Sequence, residues 1–198
     1  MLQVTDLQFG YGAPLVRGLN FNIEAGTIRL LHGPSGCGKS SLLAILSGTA
    51  DKILKWKGKI TLDGVEIGHL PAAQRGVGLM FQDPLLFPHM TVGDNLAFGL
   101  RAARSGRAER LQAVLDALHE CGLDDFAERD PASLSGGQKA RVALMRALLA
   151  APKMLLLDEA FSSLDPELRQ TFGNFVASQV ATRQIPALLV SHNAGDSS

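Results

Sequence analysis

The chain has 198 residues, which is enough for one sizeable domain with an inserted subdomain but not for two large independent domains. Its 19 lysine and arginine residues balance 19 aspartate and glutamate residues, so the formal net charge is zero, which argues against a broad nucleic-acid-binding surface. No apolar run approaches the roughly 18 residues of a membrane-spanning helix, and the first residues lack the basic and apolar parts of a signal peptide. Because two cysteines make no disulfide framework, we expect a cytoplasmic protein.

Strand patterns dominate the first part of the chain. Residues 2–4 and 19–23 alternate apolar and polar side chains, which is the period of half-buried strands, and a loop is predicted between them at 10–14. The apolar run at 28–32 predicts a buried strand. Residues 58–67 predict a hairpin, because an Asp-Gly pair in their middle favours a tight turn.

A glycine-rich segment at 33–40, GPSGCGKS, fits the phosphate-binding pattern G-x-x-x-x-G-K-[ST] at every fixed position. A predicted strand precedes this phosphate loop, and a predicted helix follows it and ends at Gly48. Backbone N–H groups and a helix N-terminus attract phosphate oxygens, while Lys39 would reach the β- and γ-phosphates and Ser40 would bind Mg²⁺. A plain glycine turn is the alternative, but a turn has no need of the Lys-Ser pair. The predicted nucleotide-binding residues of this segment are Gly33, Pro34, Ser35, Gly36, Cys37, Gly38, Lys39, Ser40 and Ser41.

The middle of the chain changes from strand patterns to helix patterns. A short apolar strand at 77–81 leads directly to Gln82. The segment 85–90 is unusually apolar for a proline-containing loop, so it is either a partner site or a buried plug. No strand pattern interrupts the helical composition between 94 and 130, and we predict a small helical insert there. One face of this insert is predicted to carry the apolar stripe Leu111, Val114, Leu115 and Leu118.

Helices and strands alternate again near the end of the chain, as in a parallel α/β sheet. Helices are predicted at 138–150 and 166–181, and strands at 154–157 and 187–190. The second helix is predicted to bury Leu168, Phe172, Phe175 and Val176.

Two adjacent carboxylates, Asp158 and Glu159, follow the strand at 154–157. Open α/β sheets bind their ligands at the C-terminal ends of such strands. Asp158 is placed to hold Mg²⁺ through its water shell, and Glu159 is placed to accept a proton from an attacking water. A solvated acidic turn is the alternative interpretation.

The pentapeptide LSGGQ at 134–138 precedes the helix predicted at 138–150. Ser135 and Gln138 match a capping box, which satisfies N–H groups at a helix start. Capping does not explain Gly136 and Gly137, because glycine weakens a helix. Two glycines are useful there if a phosphate approaches the backbone.

Together these motifs resemble the nucleotide-binding subunit of an ATP-binding cassette (ABC) transporter, from one end of the chain to the other. In chain order they are the phosphate loop, a glutamine loop at Gln82, the LSGGQ signature and the Walker B run MLLLDE at 154–159. Residues 163–165, SLD, resemble the D-loop of that family, and His192 resembles its switch histidine. LSGGQ ahead of a Walker B strand is close to diagnostic, whereas a phosphate loop alone indicates only a superfamily.

The resemblance implies an α/β fold of the P-loop NTPase type with a mainly parallel core sheet, an N-terminal antiparallel β subdomain and an inserted α-helical subdomain. It implies a single ABC ATPase domain over 1–198. Residues 1–82 and 135–198 would form the α/β core with the β subdomain, and residues 83–134 the helical subdomain.

The resemblance also implies roles for the matching residues. Subunits of that family close head to tail, so that each ATP lies between the phosphate loop of one copy and the signature of the other. Tyr11, which the residues alone leave open between a base-stacking ring and a ring packed on the sheet edge, would stack on adenine. Asp165 would cross the dimer interface, although Asp165-Pro166 also fits a helix N-cap and first turn.

Catalysis and metal binding are assigned by the same resemblance. The implied catalytic residues are Lys39, Gln82, Glu159 as general base, and His192 holding the γ-phosphate or the water. The implied Mg²⁺ ligands are Ser40, Gln82 and Asp158. The implied ATP contacts in the signature are Ser135, Gly136, Gly137 and Gln138.

Residues 81–92 resemble the importer-type branch of the family, in which this region and the helical subdomain contact the membrane permease. We therefore expect an ATPase that couples closure of a dimer to solute import, peripheral on the cytoplasmic face of the membrane. The implied partners are a second copy of the chain, permease subunits and a solute-binding protein. The alternative is a soluble ABC ATPase that acts on nucleic acid or ribosomes, and the neutral charge together with the absence of basic insertions argues against it.

Overall fold

The computed structural model describes residues 1–100, 106–162 and 164–191. Within these residues the strands form two four-stranded sheets. The strands are β1 (Leu2–Tyr11), β2 (Ala13–Ile23), β3 (Ile28–His32), β4 (Lys55–Leu62), β5 (Val65–Glu66), β6 (Val77–Met80), β7 (Met154–Asp158) and β8 (Ala187–Ser191). The α-helices are α1 (Lys39–Ser47), α2 (Val92–Gly99), α3 (Arg107–Cys121), α4 (Gly136–Leu149) and α5 (Pro166–Arg183). One sheet is antiparallel, in the order β2-β1-β4-β5, and the other is parallel, in the order β3-β8-β7-β6. This combination confirms the predicted fold class.

Two tight turns connect neighbouring strands of the antiparallel sheet. Asp63 and Gly64 take φ values of 51° and 77° between β4 and β5, as a two-residue hairpin turn requires, so the predicted hairpin is confirmed. The loop predicted at 10–14 is wrong in extent. Gly12, with φ 80°, is the single residue between β1 and β2, because its left-handed conformation reverses the chain at once.

The parallel sheet separates two hydrophobic cores. Leu155 and Leu157 of β7 face the core built mainly from α2, α3, α4 and α5, while Met154 and Leu156 face the core beneath the antiparallel sheet and α1. Side chains alternate between the two faces of a strand, so an entirely apolar strand is what a sheet covered on both sides requires.

β3 is not the buried strand that its apolar run predicts. It lies at an edge of the described sheet and pairs with β8. Arg29 and His32 are exposed, and the apolar residues between and before them are only partly buried. Composition therefore identified the strand but not its position in the sheet.

The apolar stripe predicted on α3 is half wrong. Val114 and Leu118 are buried, but Leu111 is 59% exposed and Leu115 is 41% exposed. The buried face instead consists of Ala113, Val114, Ala117, Leu118 and Cys121. The i, i+4, i+8 spacing of the two alanines and Cys121 brings small side chains to the packed face, which lets α3 approach its neighbours closely.

The structures of α4 and α5 agree more closely with the predictions made from the sequence. α4 begins two residues before its predicted start, so both signature glycines lie in its first turn. In α5 the side chains of Phe172 and Val176 are buried, while Leu168 and Phe175 pack against the core and stay partly exposed. None of the described helices combines the length and the apolar character needed to cross a bilayer.

Candidate active site

The phosphate loop connects β3 to α1. Gly36 and Gly38 have φ values of 80° and 102°, in the left-handed region that favours glycine. A Cβ on Gly38 would lie 2.9 Å from Cε2 of Phe9, so the loop is packed directly on β1. Gly38 is also the N-cap of α1 and contributes no side-chain cap, which leaves the first N–H groups of the helix available to an anion.

Lys39 is buried at the start of α1. Its ammonium group donates hydrogen bonds to the carbonyl oxygens of Gly33, at 2.6 Å, and of Pro34, at 2.9 Å. Lys39 thereby links the end of the phosphate loop to its beginning, and its ammonium group lies inside the loop.

A cleft of about 370 Å³ opens beside this loop. It is lined by Tyr11, Leu15, Ser35, Gly36, Gly38, Lys39, Ser40, Ser41 and Glu159. Tyr11 ends β1, its side chain is 53% exposed, and its hydroxyl lies 3.4 Å from Oγ of Ser41. An exposed ring on the wall of a cleft fits the base-stacking interpretation better than packing on the sheet edge.

The acidic pair lies at the C-terminal end of β7. Glu159 takes a φ of 51°, which is uncommon for a residue with a side chain and tends to occur at functional sites. The bend is held by hydrogen bonds: the Glu159 N–H donates to the Val190 carbonyl at 2.9 Å, and the Glu159 carbonyl accepts from Ser162. Since Glu159 lines the cleft, the fold brings the predicted base and the phosphate loop together.

Asp158 has a perturbed acidity. Burial raises the pKa of its carboxyl, the neighbouring Glu159 raises it further, and Lys39 lowers it. The effect of Lys39 means that the acidic pair and the phosphate loop share one electrostatic environment. A cation near Asp158 would relieve its repulsion with Glu159.

The signature forms the start of α4. Ser135 is the N-cap, its Oγ accepts from the Gln138 N–H at 3.3 Å, and Gln138 Oε1 accepts from the Ser135 N–H at 2.9 Å. The predicted capping box is therefore confirmed. A Cβ on Gly137 would lie 3.2 Å from Leu168, whereas Gly136 is exposed. Among the described residues that line the cleft beside the phosphate loop, none belongs to the signature.

The remaining predicted site residues belong to three other segments of the chain. Asp165 is the N-cap of α5, with its Oδ1 accepting from the Leu168 N–H at 2.9 Å, so its capping role is confirmed. Gln82 lies two residues beyond β6 with its side chain exposed. His192 and the first residue of the predicted D-loop, Ser163, lie outside the described residues.

A family model described as ABC transporter matches residues 16–162, most of this chain. The chain belongs to the ABC transporter family. The predicted ATPase subunit of an ABC transporter is thereby confirmed, and ATP binding is assigned to the chain.

Similar proteins within the ABC transporter family carry related names. The "Uncharacterized ABC transporter ATP-binding protein YnjD" of Escherichia coli is 48% identical over 92% of this chain and 83% of its own length. The "Spermidine/putrescine import ATP-binding protein PotA" of Pasteurella multocida is 39% identical over 98% of this chain and 52% of its own length. The protein of that name from Hahella chejuensis is 47% identical over 79% of this chain and 42% of its own length. The chain thus spans about half the length of the PotA proteins it matches.

Two arginines that sequence reasoning missed hold parts of this ABC ATPase together. The Arg75 guanidinium donates to the carbonyl oxygens of Ile45 and Leu46 at the end of α1, and to those of Gly68 and Leu70. Arg75 lies just ahead of β6, so it ties the helix of the phosphate loop to the strand that leads to Gln82. Burial lowers the pKa of this guanidinium.

The second is Arg146 of α4. It donates to Asn95 Oδ1 at 3.3 Å and to the Pro84 carbonyl at 3.1 Å. Those partners are 51 and 62 residues away in the sequence, and no local pattern marks such a pair. Asn95 is fully buried in α2, and a buried polar side chain needs hydrogen-bond partners such as these, but its burial is not visible in the sequence.

Proposed function

We propose that this chain is the Mg²⁺-dependent ATPase subunit of an importer, in which two copies enclose ATP and drive solute import through separate permease subunits. The observation that carries the proposal is the set of residues that line the cleft. Lys39, Ser40 and Glu159 line it, but the signature lies elsewhere, at the start of α4. A head-to-tail pair would supply each cleft with the signature of the other copy.

The residues near the phosphate loop fit a magnesium ion. Hydroxyl and carboxylate oxygens are the ligands that Mg²⁺ prefers, and Ser40 and Asp158 offer one of each, with Gln82 as a further oxygen donor. Within the described residues no cluster of three or more acidic, histidine or cysteine side chains could hold a metal alone. That agrees with an ion bound by a single carboxylate, that of Asp158, together with neutral oxygen donors and substrate phosphates. When bound, Mg²⁺ neutralises the charge that develops on the phosphate oxygens.

Hydrolysis would use few protein groups. Backbone N–H groups of the phosphate loop and the Lys39 ammonium hold the phosphates. Glu159 takes a proton from the water that attacks the γ-phosphorus, the bond to the β-γ bridging oxygen breaks, and ADP and phosphate leave. Tyr11 would stack on adenine, and His192 stays a predicted contact of the γ-phosphate or of the water. Asp165 stays a predicted contact across the dimer.

The permease would contact the loop after Gln82 and the helical subdomain. A groove of about 330 Å³ opens there, lined by Leu79, Phe87, Phe98, Gly99, Ala143, Arg146, Ala147 and Ala150. Phe98 is 62% exposed and Leu85 is 53% exposed, as residues that await a partner often are. The naming of the PotA relatives as import ATP-binding proteins supports import. A position on the cytoplasmic face of the membrane and a solute-binding protein as a further partner belong to the same proposal.

The proposal also divides the chain into subdomains. Residues 83–134 would form the helical subdomain, and residues 1–82 with 135–198 would form the α/β core together with the β subdomain, within a single ABC ATPase domain.

The experiment that tests the paired site mixes two defective variants. Lys39→Met removes the lysine of the phosphate loop. Ser135→Asp keeps a good N-cap but places a negative charge where the γ-phosphate of the other copy would lie. Each variant alone should hydrolyse ATP very slowly, and the mixture should recover activity, since a mixed dimer has one intact pocket. A mixture as inactive as its components would contradict the head-to-tail site.

A second measurement separates import from the alternative function. The tagged subunit is purified from membranes in mild detergent with ATP present. Co-purification of a hydrophobic membrane protein supports import, and co-purification of nucleic acid or ribosomes supports the soluble alternative.

A further inference from the structure

Residues 84–91, which we name the coupling segment, follow Gln82 after a single residue. The segment is not a regular element. Apart from a bond that the Leu85 N–H donates to Asp83 Oδ1, its hydrogen bonds to side chains come from two helices. The Asn95 side chain of α2 accepts from the Phe87 N–H at 2.8 Å and donates to the carbonyls of Phe87, at 3.1 Å, and Thr91, at 2.9 Å. Asn95 is fully buried, so these bonds replace backbone pairing that the segment lacks.

Arg146 of α4 supplies the second attachment. Its guanidinium donates to the Pro84 carbonyl and to Asn95 Oδ1, and it lies 5.0 Å from the centre of the Phe87 ring, within the range of a cation–π contact. The coupling segment is therefore held at its first residue and at its central aromatic ring by one side chain.

The backbones of α2 and α4 are also in direct contact. A Cβ on Gly99 would lie 2.1 Å from the Arg146 carbonyl oxygen, so no larger residue fits between the two helices. Close-packed interiors resist compression and transmit strain. Arg146 thus joins the coupling segment to a body that already contains α2 and α4.

Helix α4, which carries Arg146, begins within the signature. Ser135 caps α4 and Arg146 lies three turns later, about 16 Å along the axis at a rise of about 1.5 Å per residue. A displacement of the N-terminus of α4 is carried along this length, because a helix is stiff over three turns.

We propose that Arg146 is a positioning residue that makes the coupling segment follow α4, so that engagement of the signature by ATP is transmitted to the segment. The proposal rests on the proposed function, in which the signature meets the ATP of a second copy. Arg146 acts without contacting a phosphate. It transmits the motion through the Pro84 carbonyl, Asn95 and the Phe87 ring.

The test measures amide hydrogen exchange in peptides covering the coupling segment, with and without ATP. The protein carries Glu159→Gln so that ATP persists, and size-exclusion chromatography reports the ATP-bound dimer. In the parent protein ATP should change the exchange of the segment. Arg146→Lys keeps the charge but loses the planar fork that reaches two acceptors at once, and should lose most of that ATP-dependent change while the dimer still forms.

Arg141→Lys is the matched control. Arg141 lies on the same helix and its guanidinium donates to the Cys121 carbonyl at 2.8 Å, away from the coupling segment, so this variant should retain the ATP-dependent change. A purely structural role for Arg146 would raise exchange equally with and without ATP and leave the difference intact. An intact difference in Arg146→Lys, or an equal loss in both variants, overturns the proposal.

Phe87→Leu covers the case in which Arg146→Lys does not fold. It removes the ring under the guanidinium and leaves the backbone bonds of the segment. Loss of the ATP-dependent change in Phe87→Leu supports the proposal, and retention overturns it. If ATP produces no dimer in the parent protein, the proposed function itself is overturned. If the dimer forms but the ATP-dependent change in exchange does not depend on Arg146, only this inference is overturned.

Discussion

The ammonium group of Lys39 lies 2.6 Å from the carbonyl oxygen of Gly33, six residues earlier in the same phosphate loop. Together with the bond to Pro34, this contact keeps a buried cation inside the loop. The loop is therefore shaped around the lysine, and the charge is already positioned where phosphate oxygens would bind.

Lys39→Met should weaken ATP binding strongly. It removes a charge-assisted contact that contributes about 1.5–3 kcal/mol, equivalent to roughly 10–100-fold in Kd, and it also removes the two bonds that close the loop. Titration with a fluorescent ATP analogue measures the Kd. Lys59→Met, which removes an exposed lysine of β4, is the control and should leave the Kd unchanged. Equal affinity of Lys39→Met and the parent would refute this role.

Glu159→Gln should bind ATP normally but hydrolyse it about 10²–10⁴-fold more slowly, the usual cost of losing a general base. The substitution is nearly isosteric, so the bend at this residue should survive. Release of phosphate measures the rate, and size-exclusion chromatography should show a persistent ATP-bound dimer. Glu167→Gln, on the exposed first turn of α5, should behave like the parent. Near-parental hydrolysis by Glu159→Gln would exclude it as the base.

Asp158→Asn should stabilise the nucleotide-free protein at pH 7 while abolishing Mg²⁺-dependent hydrolysis. Burial and Glu159 raise the pKa of Asp158 above its ordinary 3.8, so the folded state binds this proton more tightly than the unfolded chain does. The ionised carboxylate therefore destabilises the fold above its raised pKa, and this penalty disappears as the pH falls toward 3.8.

Thermal unfolding in a chelating buffer checks the sign. The variant should exceed the parent in Tm at pH 7, and the difference should shrink on acidification. A variant that is less stable than the parent at pH 7 would mean that the carboxylate is stabilised by contacts rather than penalised by burial.

Thiol alkylation should inactivate the protein through Cys37 alone. Cys37 is exposed, and its Sγ lies 2.9 Å from the position that a Cβ on Gly33 would occupy, so an added group would fill the phosphate loop. Burial raises the pKa of Cys121 to about 12, so its thiol stays protonated and unreactive below that pH. Mass spectrometry should find one adduct, and bound ATP should slow its formation. Inactivation of a Cys37→Ala variant at the parental rate would show that another group is the target.

The sequence predicted the parts of the site that depend on fixed residue types at fixed spacing. Gly36, Gly38 and Lys39 are required by the backbone conformation and charge of a phosphate loop, and Asp158 and Glu159 follow an apolar strand whose end must lie at the ligand-binding edge. Local chemistry determines each of these features, so a short pattern is enough to find them.

Features that depend on distant neighbours could not be predicted in this way. Leu111 and Leu115 continue the helical period of the buried residues Val114 and Leu118, and only the packing partners of α3 decide which side is covered. The contact of Arg146 with the coupling segment joins residues that are far apart in the chain. Nothing in a window of a few residues marks either arrangement.

The two signature glycines should respond differently to alanine. The nearest atom to a Cβ on Gly136 is Leu164 Cδ2 at 3.9 Å, an ordinary contact, whereas a Cβ on Gly137 would lie 3.2 Å from Leu168 Cδ2. Gly136→Ala should therefore keep the stability of the protein or raise it, by up to about 1 kcal/mol, because alanine favours a helix. Gly137→Ala should gain less or lose stability, since Leu168 must move.

Activity separates this structural effect from the functional one. If the phosphate of a second copy approaches the start of α4, a methyl group on Gly136 displaces it, and ATP hydrolysis should fall by about tenfold or more in a protein that unfolds no more easily than the parent. Chemical denaturation and phosphate release measure the two quantities on the same samples. A stable Gly136→Ala variant with parental hydrolysis would mean that nothing approaches the exposed side of the signature during turnover.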